Sequence, residues 1–121
     1  MRHCLVVDDS DVIRKVARRI MQLLRFETTE AANGQQALER CRMSMPDVIL
    51  LDWHMPEMSG IEFLSSLRLQ LHGKKPIVLY CTTENDPIDI ARALAAGADE
   101  YVLKPFNREA IQAKLADAGL T

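Results

Sequence analysis

The chain has 121 residues, a formal net charge of −2, and 48% hydrophobic against 26% charged residues. That suffices for one domain with a real core and is too little for two, and the balance is that of an ordinary soluble globular protein with no case for nucleic-acid binding. No apolar run reaches the ~18 residues of a membrane span, and the first strand begins too early to leave room for a signal peptide. The three cysteines, Cys4, Cys41 and Cys81, fit neither a disulfide framework nor a zinc spacing. A reducing, cytoplasmic setting is expected, with Cys4 and Cys81 as buried thiols.

Strand and helix patterns then alternate without linker, repeat or low-complexity segment. His3 to Val7 is a short apolar run that ends in acid. From Asp11 to Leu24, Ile13, Val16, Ala17, Ile20, Met21 and Leu24 recur at helical spacing. Glu27 to Ala31 is Thr-rich and alternating, which predicts a strand near a sheet edge, and Asn33-Gly34 punctuates it before a helix carrying Ala37, Leu38 and Cys41. Val48 to Leu51 is apolar throughout, as in a central parallel strand covered on both faces. Ser59-Gly60-Ile61-Glu62 reads as a capping box that opens the next helix. Pro76 to Cys81 is another buried strand. Asp86-Pro87 gives an N-cap with proline at the first helical position, and Gly97 ends that helix. Glu100 to Leu103 is the last strand, and Asn107 starts a terminal helix closed by Gly119. Five β-α units predict an α/β fold, a doubly wound five-stranded parallel sheet with five helices and right-handed crossovers.

Asp8 and Asp9, Asp52, Thr82 and Lys104 each fall at the C-terminal end of one of these strands. In open α/β sheets, ligands bind outside that edge, at a topological switch point. Carboxylates crowded there repel one another, so at least one pKa should rise, and a hard divalent cation such as Mg²⁺ relieves the repulsion. One of Asp8 and Asp9 can face such a metal while the other acts through water, since Ser10 or Asp11 is free to cap the following helix. Asp52, beside a cation, can attack phosphorus and form an acyl phosphate. Lys104 suits a phosphoryl oxygen as a compact point charge, and the Thr82 hydroxyl can hydrogen-bond the same group. Phosphoryl transfer depends mainly on positioning and charge neutralisation, so this set is nearly complete for it.

Val7-Asp8-Asp9, the run Leu51-Asp52-Trp53-His54-Met55-Pro56-Glu57-Met58-Ser59-Gly60, Thr82-Thr83-Glu84 and Lys104-Pro105-Phe106 stand in this order along essentially the whole chain. Together they resemble the receiver domain of two-component response regulators, of the stand-alone type. The resemblance implies a flavodoxin-like receiver topology with strand order 2-1-3-4-5. It implies that residues 1–121 form a single receiver domain without an output domain. It also implies that Asp52 accepts phosphate from a histidine kinase or histidine phosphotransferase. Mg²⁺ falls to Asp9 and Asp52 directly, to Asp8 through water, and to the carbonyl of His54. Lys104 pairs with the phosphoryl group, and the Lys-Pro bond that follows it is usually cis in this family, which suits Lys104-Pro105. Thr82 and Tyr101 match its switch pair. Thr83, where Ala or Gly is frequent, carries a methyl that narrows the approach to phosphorus, and His54 and Glu84 are expected to tune the lifetime of the acyl phosphate.

Two surfaces suit partners. The first helix carries Arg14, Lys15, Arg18 and Arg19 beside the cleft, and in the family this helix docks kinase or phosphotransfer helices. The fourth helix is apolar over a wide arc, more than the ~100° stripe a core needs, so Ile90 and Leu94 with Tyr101 and the last helix form the expected output face for a downstream target. Other readings compete. Phosphohydrolases with an Asp nucleophile carry a second Asp two residues later, where this chain has His54. A nucleotide-binding module lacks its glycine-rich loop after the first strand. The receiver half of a DNA-binding regulator would need a second motif after the last helix. Among stand-alone receivers, Trp53 and Glu84 match the chemotaxis regulators, and a phosphorelay shuttle or phosphate sink is the alternative.

Overall fold

A computed structural model describes residues 1–52, 55, 57–70, 72, 75–83 and 85–120. Strand and helix alternate as the sequence predicts: β1 (His3–Val7), α1 (Asp11–Leu23), β2 (Glu27–Ala31), α2 (Gly34–Met43), β3 (Val48–Asp52), α3 (Gly60–Leu69), β4 (Ile77–Thr82), α4 (Pro87–Ala96), β5 (Glu100–Leu103) and α5 (Arg108–Asp117). All four pairings are parallel and the order is β2-β1-β3-β4-β5, the flavodoxin-like receiver topology. The Thr-rich strand takes an edge, and all five residues of β3 at the centre are buried. β4 runs to Thr82, one residue past the expected end, so that hydroxyl lies on the strand itself.

Side chains alternate across a strand, and this divides the core into two layers. Leu5, Val7, Ile49, Leu51, Val78 and Tyr80 face α2, α3 and α4, where Leu38, Phe63, Leu64, Leu67 and Ala93 meet them. Cys4, Val6, Val48, Leu50, Leu79 and Cys81 face the other way, against Ala17 and Met21 of α1 and Ile111 and Leu115 of α5. All three cysteines are buried free thiols.

Helix starts are set by side-chain caps. Ser10, Asn33, Ser59, Asp86 and Asn107 each accept a hydrogen bond from an amide of the first turn, Ser59 and Glu62 in a full capping box. Each such cap stabilises its helix by about 1 kcal/mol. Gly97 closes α4 at φ 122°, a backbone conformation that L side chains rarely adopt. Val16, expected in the apolar stripe of α1, is about half exposed, while Ala17 and Met21 carry the packing. The Lys104-Pro105 peptide is cis, as expected.

Polar clamps join the ends of the elements. Arg68 on α3 donates to the carbonyls of Pro76 (2.9 Å) and Gly97 (2.5 Å) and pairs with Asp99 at 3.2 Å. Asp99 in turn accepts from the Val78 amide at 2.8 Å. Asp47 accepts from the His3 amide at 2.9 Å and pairs with Lys75 at 3.4 Å. The His3 amide bond, opposed by burial and aided by Lys75, holds the Asp47 carboxyl below the usual range. Arg14 and Arg18 do the same for Glu30 on β2, with the Arg14 hydrogen bond leading. Folded carboxyls depressed in this way contribute stability that is fully present above the unfolded pKa of about 4 and is lost as pH falls through the folded value. Urea midpoints should therefore fall as pH drops from about 5 toward 2. Asp47→Asn and Glu30→Gln should each flatten that dependence relative to the parent, and variants whose profiles run parallel to the parent's would contradict this account.

Candidate functional site

Parallel strands that all start at one edge deliver their last residues to the other, and five polar residues gather there. Asp8 and Asp9 follow β1, Asp52 ends β3, Thr82 ends β4 and Lys104 follows β5. Asp8, Asp52 and Thr82 are buried, and Asp9 is exposed. One carboxylate oxygen from each of Asp8, Asp9 and Asp52 lies within 4.8 Å of the other two. Lys104 crosses the end of β4 on its flexible four-carbon stem, and its Nζ donates to Asp8 Oδ2 at 2.8 Å and to Asp52 Oδ1 at 3.1 Å. Its backbone amide donates to the Thr82 carbonyl at 2.7 Å, which locks the ends of β4 and β5 together beneath the cleft.

One ammonium thus faces three carboxylates. Burial pushes the Asp52 carboxyl up, Asp8 and Asp9 add to this, and the Lys104 charge offsets only part. Burial disfavours the Lys104 ammonium, but its bonds to Asp8 and Asp52 outweigh that and raise its pKa. The site keeps an excess of negative charge, the condition under which a hard divalent cation is favoured, and three carboxylates of this spacing fit one. Asp8 does not cap α1. Ser10 does, while the Ser10 amide donates to Asp8 Oδ1 at 2.9 Å and helps hold that carboxylate in the cleft.

The expected site residues Asp8, Asp9, Asp52, Thr82 and Lys104 come together. Thr83 is exposed beside Thr82. Tyr101 is half-buried on β5, with the Lys114 ammonium 4.3 Å from its ring centroid. His54 and Glu84, and with them Trp53, lie outside the described residues. On α4 only Ala93 is buried, Ile90 is partly covered, and Ile88 and Leu94 are exposed. An open groove of about 800 Å³ runs along α1, walled by Lys15, Arg18 and Arg19 with Val16 and Ile20 between them.

Arg14 departs from the expected basic docking face. Its side chain is only 10% exposed, and its guanidinium bonds Glu30, Asp11 and the Asp8 carbonyl. The docking reading of Arg14 is therefore corrected, because its charge is spent on the fold. Glu30 escaped sequence reading altogether. An acid on an alternating edge strand, 16 residues from its partner, carries no spacing signal.

A sequence profile of the response regulator receiver domain matches residues 4–116. Chemotaxis protein CheY1 of Helicobacter pylori is 33% identical over 113 residues, covering 92% of this chain and 91% of that protein. Phosphate regulon transcriptional regulatory protein PhoB of Escherichia coli is 32% identical over 114 residues, covering 94% of this chain and 50% of PhoB. Among solved structures, chemotaxis response regulator CheY4 of Vibrio cholerae superposes with a TM-score of 0.90 at 36% identity, covering 98% of each chain.

Burying charge in this cleft gives two stability effects of opposite sign. Because the folded pKa of Asp52 is raised, its ionised form is disfavoured by folding and stability falls as pH rises through that value. Asp52→Asn should therefore raise the urea midpoint at pH 7 in chelator. Lys104→Met strands two buried carboxylates and should lower stability by about 3 kcal/mol. A destabilised Asp52→Asn would contradict the raised Asp52 pKa.

Proposed function

This chain belongs to the response regulator receiver domain family, and on that premise we propose that Asp52 accepts a phosphoryl group from a histidine kinase or histidine phosphotransferase. The observation that carries the reading is the Lys104 ammonium shared between Asp8 and Asp52, with the Asp9 carboxylate beside them. In the transfer, an Asp52 carboxylate oxygen forms the new P–O bond as the P–N bond of the donor phosphohistidine breaks, and the departing imidazole takes up a proton. Lys104 is placed to exchange part of its hold on the two acids for a phosphoryl oxygen. The buried Thr82 hydroxyl is the hydrogen-bonding group at the end of the neighbouring strand. Mg²⁺, when bound, supplies the positive charge that lets an anionic phosphoryl group approach an anionic nucleophile. Asp9 and Asp52 would hold it directly, Asp8 through water, with the His54 carbonyl completing the set.

Thr82 and Tyr101 are the proposed switch pair. Thr82 ends β4 and Tyr101 lies on the adjacent β5; in this reading the hydroxyl moves to the phosphoryl group and the ring follows inward. Ile90, Leu94 and Tyr101 mark the output face. Lys15 and Arg18, along the groove on α1, suit an acidic docking helix. Thr83, His54 and Glu84 are the residues proposed to set the acyl-phosphate lifetime. No described helix is long and apolar enough to cross a membrane; the working location proposed is the cytoplasm. Similarity to CheY1 and CheY4 favours chemotaxis, with a protein target.

Incubation with a small-molecule phosphodonor and Mg²⁺ should add one phosphoryl group to the intact mass. Chelator, or Asp52→Asn, should abolish the addition, and persistence in the variant would overturn the assignment. Thr82→Ala should still be phosphorylated while losing the gain in target affinity, about tenfold for a coupling of ordinary size. Pull-down with the phosphorylated protein against Asp52→Ala should recover a motor protein, and recovery of a phosphotransferase would move the protein to a phosphorelay.

A further inference from the structure

Among the described residues, three charged side chains are buried: Asp8, Asp52 and Arg14. Two belong to the acidic cleft, and the third reaches it through the backbone. Arg14 Nη1 donates to the Asp8 carbonyl at 2.6 Å, and its Nε donates to Glu30 Oε1 at 2.7 Å. Glu30 Oε2 is taken by Arg18, and Asp11 pairs with the far side of the same guanidinium. The Asp8 amide donates to the Ala31 carbonyl at 3.2 Å, so β2 holds Asp8 at its nitrogen while Arg14 holds it at its oxygen.

The carbonyl of Asp8 and the amide and Cα of Asp9 share one rigid peptide plane. Fixing the Asp8 oxygen therefore fixes where Asp9 begins. Asp9 needs that constraint more than the other two acids. Asp8 and Asp52 are buried and bonded to Lys104, whereas Asp9 is exposed and its carboxylate bonds no described residue. Burying a guanidinium is unfavourable unless its donors are matched, and here its planar fork spans two elements that a lysine ammonium cannot bridge together.

We propose that Arg14 and Glu30 are positioning residues for the cation site: through the Asp8–Asp9 peptide plane they hold Asp9 within reach of Asp8 and Asp52, and so set the affinity for Mg²⁺. The inference rests on the phosphoacceptor reading above and assigns the edge strand β2 a part in it.

Simple electrostatics makes the opposite prediction. Removing a positive charge near three carboxylates should tighten binding of a divalent cation. Mg²⁺ titration of the unphosphorylated protein, followed by fluorescence of Trp53 and by calorimetry, separates the two. Arg14→Gln and Arg14→Lys should each weaken Mg²⁺ binding about tenfold, as loss of outer-shell orientation does at other metal sites. Glu30→Gln should weaken it in the same direction. Ile111→Val, a core change on α5, should lower Tm and leave the affinity at the parent value. Arg14→Gln binding as tightly as the parent, or more tightly, overturns the proposal. So does a lowered Tm with unchanged affinity, which would make the pair merely structural. Should Arg14→Gln fail to fold, the charge-conserving Arg14→Lys decides by the same criterion. A parent that neither binds Mg²⁺ nor takes up a phosphoryl group removes the underlying reading and the proposal together. A parent that does both, with variants unchanged, removes the proposal alone.

Discussion

Three carboxylates crowd the C-terminal edge of the sheet around one ammonium that pairs with only two of them, and much of the molecule serves to keep that unequal arrangement in place. Like charges at this spacing separate if the backbone allows it. The backbone does not allow it, because Asp8, Asp52 and Lys104 sit at or just beyond the ends of strands whose register is fixed by continuous parallel ladders. The strands are held in turn by two apolar layers, one on each face. Hydrophobic burial thus stabilises an electrostatic situation that is unfavourable by itself. Burial raises the Asp52 pKa, and the neighbouring Asp8 and Asp9 add to the rise.

Holding the acids also takes polar groups, and these work mainly on the backbone. The Ser10 amide, the Ala31 carbonyl and the Arg14 guanidinium all grip the turn after β1, and the Thr82 carbonyl grips Lys104. Charge-assisted bonds to a main-chain carbonyl are directional and short, so they fix orientation more firmly than packing does. The stretch around α4 is packed more thinly. α4 covers the sheet with little more than Ala93 and leaves Ile88 and Leu94 in solvent. A rigid site and a thinly packed helix occupy neighbouring loops of one sheet, which is the distribution of local stability expected where one region must hold and another must yield.

Most of this was legible in the sequence because the signals are local. Caps, apolar runs and the acids that end them are read within a few residues, and Ser59, Asp86 and Asn107 cap helices as their spacing predicts. Strand order and the metal-ligand assignments came from the resemblance to the receiver family and not from periodicity. What stayed hidden depends on tertiary geometry. Arg14 looked like one of four surface cations because helical spacing alone does not say which side meets β2. Val16 shares the helical spacing of the core positions but falls at the edge of the buried stripe that Ala17 and Met21 define. Glu30 had no visible partner until β2 was laid beside β1.

The three cysteines carry a practical consequence. Cys4 and Cys81 lie in the layer under α1 and α5, and Cys41, on α2, is buried in the layer on the other face of the sheet. None is more than 3% exposed, and burial holds each as a neutral thiol, with Cys41 pushed up to about 11 and Cys81 to about 12. The thiolate is the reactive form, so an alkylating reagent meets almost none of it in the closed molecule. Its rate of modification is instead a clock for how often each layer opens, read separately on the two sides of the sheet without adding any label.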